Sequence, residues 1–361
     1  MDKFKLMEEH NYEQLCFFQD RGTGLKAITC IHNTVLGPSL GGTRFWNYAT
    51  EDEAVVDVLR LARGMTYKSS LAGLPLGGGK SVIIGDASVL RKDPIKREAF
   101  WRAFGRYIEG LNGRYITAED VGTHTQDMVY VNMETSHVVG LPGRSGDPSP
   151  FTALGTYKSM QACAKHVYGD MALKGKTIAV QGVGNVGYYL CELLHKAGAN
   201  IIISDVSEER IKKCVDEFGV KVVGVDEIYS VDCDIYAPCA LGATINDDTI
   251  PVFKCKIVCG GANNQLKVAK IHGKALQDRK IIYAPDFLTN AGGVINVSYE
   301  LADGGYNQEA VHRDIDRIYR RMRDILRISE EKGQLTFETA DQMAEERINA
   351  VRDIKSILTR R

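Results

Sequence analysis

The alternation of apolar and polar residues divides the chain into a mixed first part and a more regular second part. Between residues 13 and 47, apolar side chains recur at every second position, which predicts strands. Thr50 followed by Glu53 is typical of a capping box. Apolar residues at helical spacing behind it predict a helix that ends at about Thr66.

Strands and helices continue to be predicted together up to about residue 135. A glycine-rich turn is predicted over residues 76–80, followed by a short strand over 81–84. A helix is predicted over 94–111 and a strand over 114–117. The first part is therefore expected to be a mixed α/β domain.

After a segment rich in glycine and proline, the pattern changes to short apolar strands alternating with helices. Residues 140–150 contain three Gly and three Pro, which is typical of a linker. Strands are then predicted over 177–181, 201–204, 220–223, 234–237, 257–260 and 281–284, with helices such as 188–197 and 207–218 between them. This alternation predicts a doubly wound, mostly parallel sheet, followed by charged helices from residue 308.

Composition narrows the possible partners. The 361 residues carry 45 Lys plus Arg and 46 Asp plus Glu, so the chain lacks the basic excess of a nucleic-acid or membrane-surface protein. No uncharged run approaches the ~18 residues of a membrane span. The nine cysteines form no Cys-x-x-Cys pair, and the histidines lack metal-ligand spacing. We expect free thiols, no metal site and a cytoplasmic protein.

A complete G-x-G-x-x-G motif lies between a predicted strand and a predicted helix. It consists of Gly182, Val183, Gly184, Asn185, Val186 and Gly187. The glycines allow a tight turn, close approach of a pyrophosphate and close helix packing, and the helix N-terminus attracts phosphate. Asp205 ends the next strand, where a carboxylate accepts from ribose hydroxyls and repels a 2′-phosphate. NAD is therefore predicted; Arg210 is a possible 2′-phosphate partner, but its acidic neighbours oppose that role.

The first domain supplies candidates for the reacting groups. Lys68 and Lys80 lie on either side of the glycine-rich segment, and Asp120 lies in a short acidic segment over 117–123. A lysine held against glycine backbone can have its pKa lowered by desolvation, as a general base requires. Spacing alone predicts a surface position for either lysine, because lysine side chains are mostly exposed.

Seven motifs resemble those of the glutamate/leucine/phenylalanine/valine dehydrogenase superfamily. They are Gly-Pro-Ser-Leu-Gly-Gly-Thr-Arg at 37–44, Gly-Met-Thr-Tyr-Lys at 64–68, Gly-Gly-Gly-Lys at 77–80, Thr-Ala-Glu-Asp-Val-Gly-Thr at 117–123, the loop at 182–187, Ala-Asn-Asn-Gln-Leu at 262–266 and Asn-Ala-Gly-Gly-Val at 290–294. The resemblance extends from near residue 10 to the C-terminal helices. It implies NAD-dependent oxidative deamination of an L-amino acid to a 2-oxo acid and ammonia.

The resemblance also implies an organisation. Residues 1–140 would form the α/β substrate-binding and catalytic domain, and residues 141–329 the Rossmann NAD-binding domain, with the active site in the cleft between them. A C-terminal helix over about 330–361 would pack back on the first domain. Members of the superfamily are homo-oligomers, often octamers.

Roles for individual residues follow from the matched motifs. Lys68 would bind the substrate α-carboxylate, Lys80 would be the general base that activates water, and Asp120 would exchange protons with the amino group. Asn263 and Asn290 would orient the nicotinamide ribose and the substrate. Thr152 would contact the nicotinamide carboxamide.

Substrate choice depends on a predicted apolar wall. Glutamate members carry Lys and Ser near the positions of Leu40 and Val297, where a side-chain carboxylate would here be buried without a partner. Phenylalanine members usually have Gly and Leu where Ala118 and Val294 stand. These residues, with Gly41, predict a pocket for leucine, isoleucine and valine, because a methylene alters specificity by only ~1–3 kcal/mol.

Two alternative functions remain. The short segment 137–147 contains a Gly-Leu-Pro that resembles phenylalanine members, so phenylalanine is an alternative substrate. A non-catalytic NAD-binding regulatory protein is an alternative of another class. The presence of both Lys80 and Asp120 argues against it.

Overall fold

The computed structural model describes the backbone of residues 1–358 and the side chains of residues 1–354. It confirms a mixed α/β fold. The described chain divides into two compact units: Met1–Gly146, Val297–Tyr306 and the segment from Ala344 onward form unit 1, and Asp147–Asn296 with Asn307–Met343 form unit 2. The end of the predicted C-terminal helix, residues 359–361, lies outside the described residues.

Unit 1 contains a five-stranded mixed sheet with helices on both faces. Its elements are α1 (Lys3–Glu9), β1 (Gln14–Asp20), β2 (Leu25–Asn33), β3 (Ser39–Trp46), α2 (Glu51–Leu71), β4 (Gly77–Ile84), α3 (Ala87–Leu90), α4 (Pro94–Glu109), β5 (Tyr115–Glu119) and α5 (Thr125–Asn132). The strand order is β1-β2-β4-β3-β5; β4 pairs antiparallel with β2, and β3 pairs parallel with both β4 and β5.

Two apolar cores hold these helices on the sheet. Side chains of α2, among them Val55 and Val58, pack with Ile28 and Val82 on one face. Aromatic residues of α4, Phe100 and Trp101 among them, pack with the other core. Helix α2 begins where the capping pattern predicts, with the Thr50 hydroxyl accepting from the Glu53 N–H at 3.1 Å. It ends at Leu71 rather than at about Thr66, so Lys68 lies on the helix.

The predicted glycine-rich turn over 76–80 is wrong, because Gly77, Gly78 and Gly79 are residues of strand β4. A methyl group added at Gly78 would lie 2.0 Å from the backbone nitrogen of Thr66 on α2. The glycines are therefore needed for close packing of helix on strand in the centre of the sheet, a tertiary requirement that local composition does not reveal.

Unit 2 is built on a six-stranded parallel sheet, as the alternation of strands and helices predicts. Its elements are α6 (Ser149–Tyr168), β6 (Thr177–Gln181), α7 (Asn185–Lys196), β7 (Asn200–Ser204), α8 (Glu208–Phe218), β8 (Lys221–Val222), β9 (Ile235–Pro238), β10 (Ile257–Val258), α9 (Ala269–Asp278), β11 (Ile282–Tyr283) and α10 (Asp286–Thr289). The strand order β11-β10-β9-β6-β7-β8 is that of a doubly wound dinucleotide-binding sheet.

Three C-terminal helices complete the described chain: α11 (Gly292–Ser298), α12 (Gln308–Lys332) and α13 (Thr336–Leu358). Within unit 1, α13 is joined to α2 by hydrogen bonds. The Tyr67 hydroxyl donates to Glu345, and the Arg347 guanidinium donates to the carbonyl oxygen of Ser70 at 2.9 Å. No described helix is long and apolar enough to cross a membrane.

Candidate active site

The centre of the candidate site in unit 1 is a buried pair of opposite charges. The Lys80 ammonium, on β4, lies 3.1 Å from an Asp120 carboxylate oxygen just beyond β5. The Lys80 side chain is 7% exposed and that of Asp120 is 19% exposed. Residues 40 apart in sequence meet because β3 pairs with both β4 and β5.

Burial and charge act in opposite directions on the two groups. Burial lowers the pKa of Lys80 below its ordinary value, and the Asp120 carboxylate only partly offsets that effect. Burial alone would raise the pKa of Asp120, but the cations of Lys80 and Arg44 outweigh it and hold that pKa below its usual range. At neutral pH the carboxylate is ionised, and the lysine gives up a proton more readily than an exposed lysine does.

A second lysine lies on α2, the helix that packs on this face of the sheet. The added methyl at Gly78 points at Thr66, so side chains two residues further along β4, such as Lys80, point to the α2 side. Lys68 is half-buried on the same helix, three residues beyond Met65, whose side chain would lie 3.3 Å from a methyl added at Gly41. The helix that carries Lys68 therefore packs on the strands that carry Leu40 and Lys80.

The predicted wall residues lie in two places. Leu40 is buried and pairs with Gly78 on one side and Ile116 on the other, and Ala118 follows Ile116 by two residues. Leu40 and Ala118 therefore share the face of the sheet that carries Lys80. Gly41 is also buried; a methyl there would lie 1.8 Å from the Gly79 carbonyl oxygen.

The other two wall residues, Val294 and Val297, are buried on α11. They are three residues apart, so they share one face of that helix. Val294 belongs to unit 2 and Val297 to unit 1.

The glycine-rich loop of unit 2 has the geometry that its motif predicts. Gly182 has a φ of +88°, and a methyl there would lie 2.6 Å from the Ala240 side chain. A methyl at Gly187 would lie 2.0 Å from the Gly182 carbonyl oxygen, so the helix packs directly on the turn. Val183 is buried beside them, and Val186 lies within the first turn of α7, which begins at Asn185.

Gly184 is the open position of this loop. A methyl group there would meet only the Arg210 guanidinium, at 3.7 Å. The backbone N–H groups at the start of α7 are therefore accessible to an anion. Arg210, whose acidic neighbours oppose a phosphate-binding role in the sequence, lies close enough to contribute to that site.

Asp205 is fixed at the carboxyl end of β7. One of its oxygens accepts from the Val183 N–H at 2.7 Å and the other from the Ser207 N–H at 2.9 Å. A carboxylate oxygen can accept more than one hydrogen bond, so each Asp205 oxygen keeps a lone pair for a hydroxyl group. An open loop at a helix N-terminus beside an oriented carboxylate fits an adenine dinucleotide.

Asn263 and Asn290 are brought together by the structure. The Asn290 amide donates to the Asn263 side-chain oxygen at 2.6 Å, and the buried Asn290 oxygen has no partner within the described structure. Thr152, on α6, lies close to helix α11, which begins two residues after Asn290. A methyl added at Gly293 on α11 would lie 2.6 Å from the Thr152 hydroxyl. A buried acceptor without a donor is costly, and a ligand N–H or O–H would satisfy it.

Arg44 and Asp57 are site residues that sequence reasoning missed. Arg44 donates to Asp120 at 3.1 Å and to Asp57 at 3.0 Å. Arg44 belongs to the motif at 37–44, but its sequence position predicts no role, because its partners lie 76 and 13 residues away.

Comparison with known proteins agrees with this geometry. Residues 13–137 match the model of the Glu/Leu/Phe/Val dehydrogenase dimerisation domain, and residues 143–210 and 203–354 match the Glutamate/Leucine/Phenylalanine/Valine dehydrogenase model. The chain is 55% identical to a leucine dehydrogenase of Bacillus subtilis over 99% of this chain and 96% of that protein. It is 45% identical to a phenylalanine dehydrogenase of Thermoactinomyces intermedius, over 99% and 97%.

A solved structure agrees as well. The L-tryptophan dehydrogenase of Nostoc punctiforme superposes with a TM-score of 0.84 at 39% identity, covering 97% of this chain and 99% of that one. The predicted resemblance is confirmed: the chain belongs to the glutamate/leucine/phenylalanine/valine dehydrogenase family and is an amino-acid dehydrogenase.

Proposed function

We propose that the protein catalyses the NAD-dependent, reversible oxidative deamination of branched-chain L-amino acids, with leucine as the preferred substrate. The observation that carries the proposal is the buried Lys80–Asp120 pair beside the apolar Leu40. The similarity to the leucine dehydrogenase of Bacillus subtilis supports the choice of substrate.

In this proposal each polar group of the site has one task. Lys68 binds the substrate α-carboxylate, and Asp120 receives a proton from the amino group before oxidation. Lys80 takes a proton from water as the water attacks the imino carbon, and ammonia then departs from the resulting carbinolamine with a proton returned to it. The balance is one amino acid, NAD⁺ and water giving one 2-oxo acid, ammonium, NADH and a proton.

Unit 2 would hold the dinucleotide, which when bound accepts the hydride from the substrate α-carbon. The loop from Gly182 to Gly187 would bind the pyrophosphate and Asp205 the adenine ribose. Thr152, Asn263 and Asn290 would orient the nicotinamide half. Asp205 favours NAD over NADP because its charge repels a 2′-phosphate.

The side-chain pocket would be lined by Leu40, Gly41, Ala118, Val294 and Val297. Four of these five are apolar side chains, and Leu40 is 1% exposed. A glutamate carboxylate placed there would lose its hydration without gaining a partner, at a cost of several kcal/mol. A branched aliphatic side chain has no polar group that would lose its hydration on entering this pocket.

Oligomerisation and location belong to the same proposal. A homo-octamer is proposed, and the family model of a dimerisation domain over 13–137 supports self-association. Size-exclusion chromatography with light scattering measures the mass of the oligomer, and an octamer has about eight times the 39.9 kDa of one chain.

The proposed location is the cytoplasm. Seven of the nine cysteines are buried free thiols, which supports a reducing compartment.

The test of the activity is an NADH absorbance screen over leucine, isoleucine, valine, phenylalanine and glutamate, with NAD and with NADP. We expect the highest kcat/KM for leucine with NAD. Lys80→Ala should lower turnover by ~10²-fold or more while NAD binding, measured by calorimetry, is retained. A higher kcat/KM for phenylalanine or glutamate, or an active Lys80→Ala variant, would contradict the proposal.

A further inference from the structure

Arg44 lies between two carboxylates at the centre of the site. Its Nε donates to Asp120 Oδ2 at 3.1 Å, and its Nη1 donates to Asp57 Oδ2 at 3.0 Å. The Lys80 ammonium lies 3.1 Å from the same Asp120 oxygen. One carboxylate oxygen therefore faces two cations, and only one of them, the lysine, can act as a base, because a guanidinium stays protonated.

Asp57 is itself held in place on α2. The Tyr48 hydroxyl donates to its Oδ2 at 2.8 Å, and Arg60 donates to its Oδ1 at 3.0 Å. Its side chain is 14% exposed, so its charge is poorly screened by solvent. The guanidinium of Arg44 is thus fixed from one side by Asp57 and fixes Asp120 on the other.

The charges around Lys80 come from three elements of unit 1. Burial lowers the pKa of Lys80 most; Asp120, beyond β5, raises it; Arg44, on β3, lowers it; and Asp57, on α2, raises it. Arg44 remains a cation, because although burial opposes its charge, Asp120 and Asp57 together raise its pKa. Arg44 and Asp57 therefore act on Lys80 with opposite signs.

We propose that Arg44 is a positioning residue for the deamination: it orients the Asp120 carboxylate and supplies the positive charge that favours the neutral form of Lys80, while Asp57 moderates that charge. The inference rests on the proposed roles of Lys80 and Asp120. It adds two residues, one cationic and one anionic, that touch neither reacting atom but set the protonation state of the base.

The test is the pH dependence of kcat/KM for leucine. The acidic limb of that profile reports the pKa of the catalytic base in the free enzyme. Arg44→Gln removes the repulsion on the Lys80 cation, so the limb should move to higher pH by about one unit. Asp57→Asn removes an attraction, so the limb should move to lower pH by about half a unit. Arg44→Lys keeps the charge and should leave the limb within a few tenths of a unit of wild type.

A merely structural role for Arg44 predicts lower activity without opposite shifts. Arg97→Gln is the matched control, because Arg97 donates to buried Asp127 at 2.7 Å in the same unit without contacting the site. That variant should lose stability and keep the wild-type limb. Limbs that stay in place in both Arg44→Gln and Asp57→Asn, or that move in the same direction, overturn the inference.

A second readout does not depend on turnover. The pH dependence of Lys80 carbamylation by cyanate, followed by peptide mass spectrometry, reports the fraction of neutral lysine directly. The same opposite shifts are expected there, and Asp57→Asn supplies the answer if Arg44→Gln does not fold. An active Lys80→Ala variant would instead show that Lys80 is not the base, which contradicts the proposed function. Failure of the proposed function can therefore be told apart from failure of the inference about Arg44 and Asp57.

Discussion

Replacing Gly78 by alanine should destabilise unit 1 and impair catalysis together. The added methyl would lie 2.0 Å from the Thr66 backbone nitrogen and 2.5 Å from its Cα. Ordinary contact begins at about 3.4 Å, so α2 would have to move away from β4 by roughly 1.4 Å. Overpacking usually costs about 1–3 kcal/mol, and we expect about 3 kcal/mol because the clash is with backbone that cannot rotate away.

The same displacement moves Lys68, two residues beyond Thr66. A shift of about 1 Å in a substrate-positioning group can reduce the rate by ~10²-fold. We therefore expect a loss of that size in kcat/KM for leucine, with NAD binding unchanged because the glycine loop belongs to unit 2.

Urea unfolding followed by tryptophan fluorescence measures the stability of the correct unit, because both tryptophans, Trp46 and Trp101, lie in unit 1. Gly64→Ala is the matched control: it lies on the same helix, and a methyl there meets nothing within 4 Å. That variant should be stabilised by about 0.4–1 kcal/mol. A Gly78→Ala protein that loses less than about 1 kcal/mol would refute the packing argument.

Two further predictions concern specificity. Asp205→Ser should lower the ratio of kcat/KM for NAD over NADP about tenfold or more by removing a repulsive charge. Asp205→Asn, whose amide oxygen can still accept from one of the two N–H groups that Asp205 binds, should do the same if charge is the cause, and equal use of both cofactors by the wild type would contradict the reasoning. The double variant Ala118→Gly, Val294→Leu should move the ratio of kcat/KM for leucine over phenylalanine at least about tenfold toward phenylalanine, and an unchanged ratio would mean that these residues do not line the pocket.

The sequence predicted the parallel sheet of unit 2 well because its evidence is local. A buried strand, a glycine turn and an amphipathic helix follow one another between residues 177 and 196, and β6 and α7 lie where that order places them. The second strand and its terminal Asp205 repeat the pattern. Each contact in the loop joins residues that are close in sequence or on adjacent strands. Residue spacing alone is therefore enough to predict most of the loop's structure.

The environment of the charged pair in unit 1 could not be predicted in this way. Asp57 contributes only because α2 crosses the sheet near β3, and Arg44 only because β3 pairs with β5. Neither residue has an unusual local sequence. A hydrogen bond between residues 76 apart depends on strand order and register, which the apolar pattern leaves open.

The excess of glycine has two different physical causes, of which the sequence suggested only one. At Gly184 the missing side chain leaves open space, which the motif predicts to be occupied by a pyrophosphate. At Gly78 the space is filled by α2, and the ligand-binding consequence is indirect. The helix that carries Lys68 and Asp57 can therefore pack closely on the face of the sheet that carries Lys80. Glycine in unit 1 thus acts on the chemistry through packing, which is why its substitution should reduce stability and turnover together.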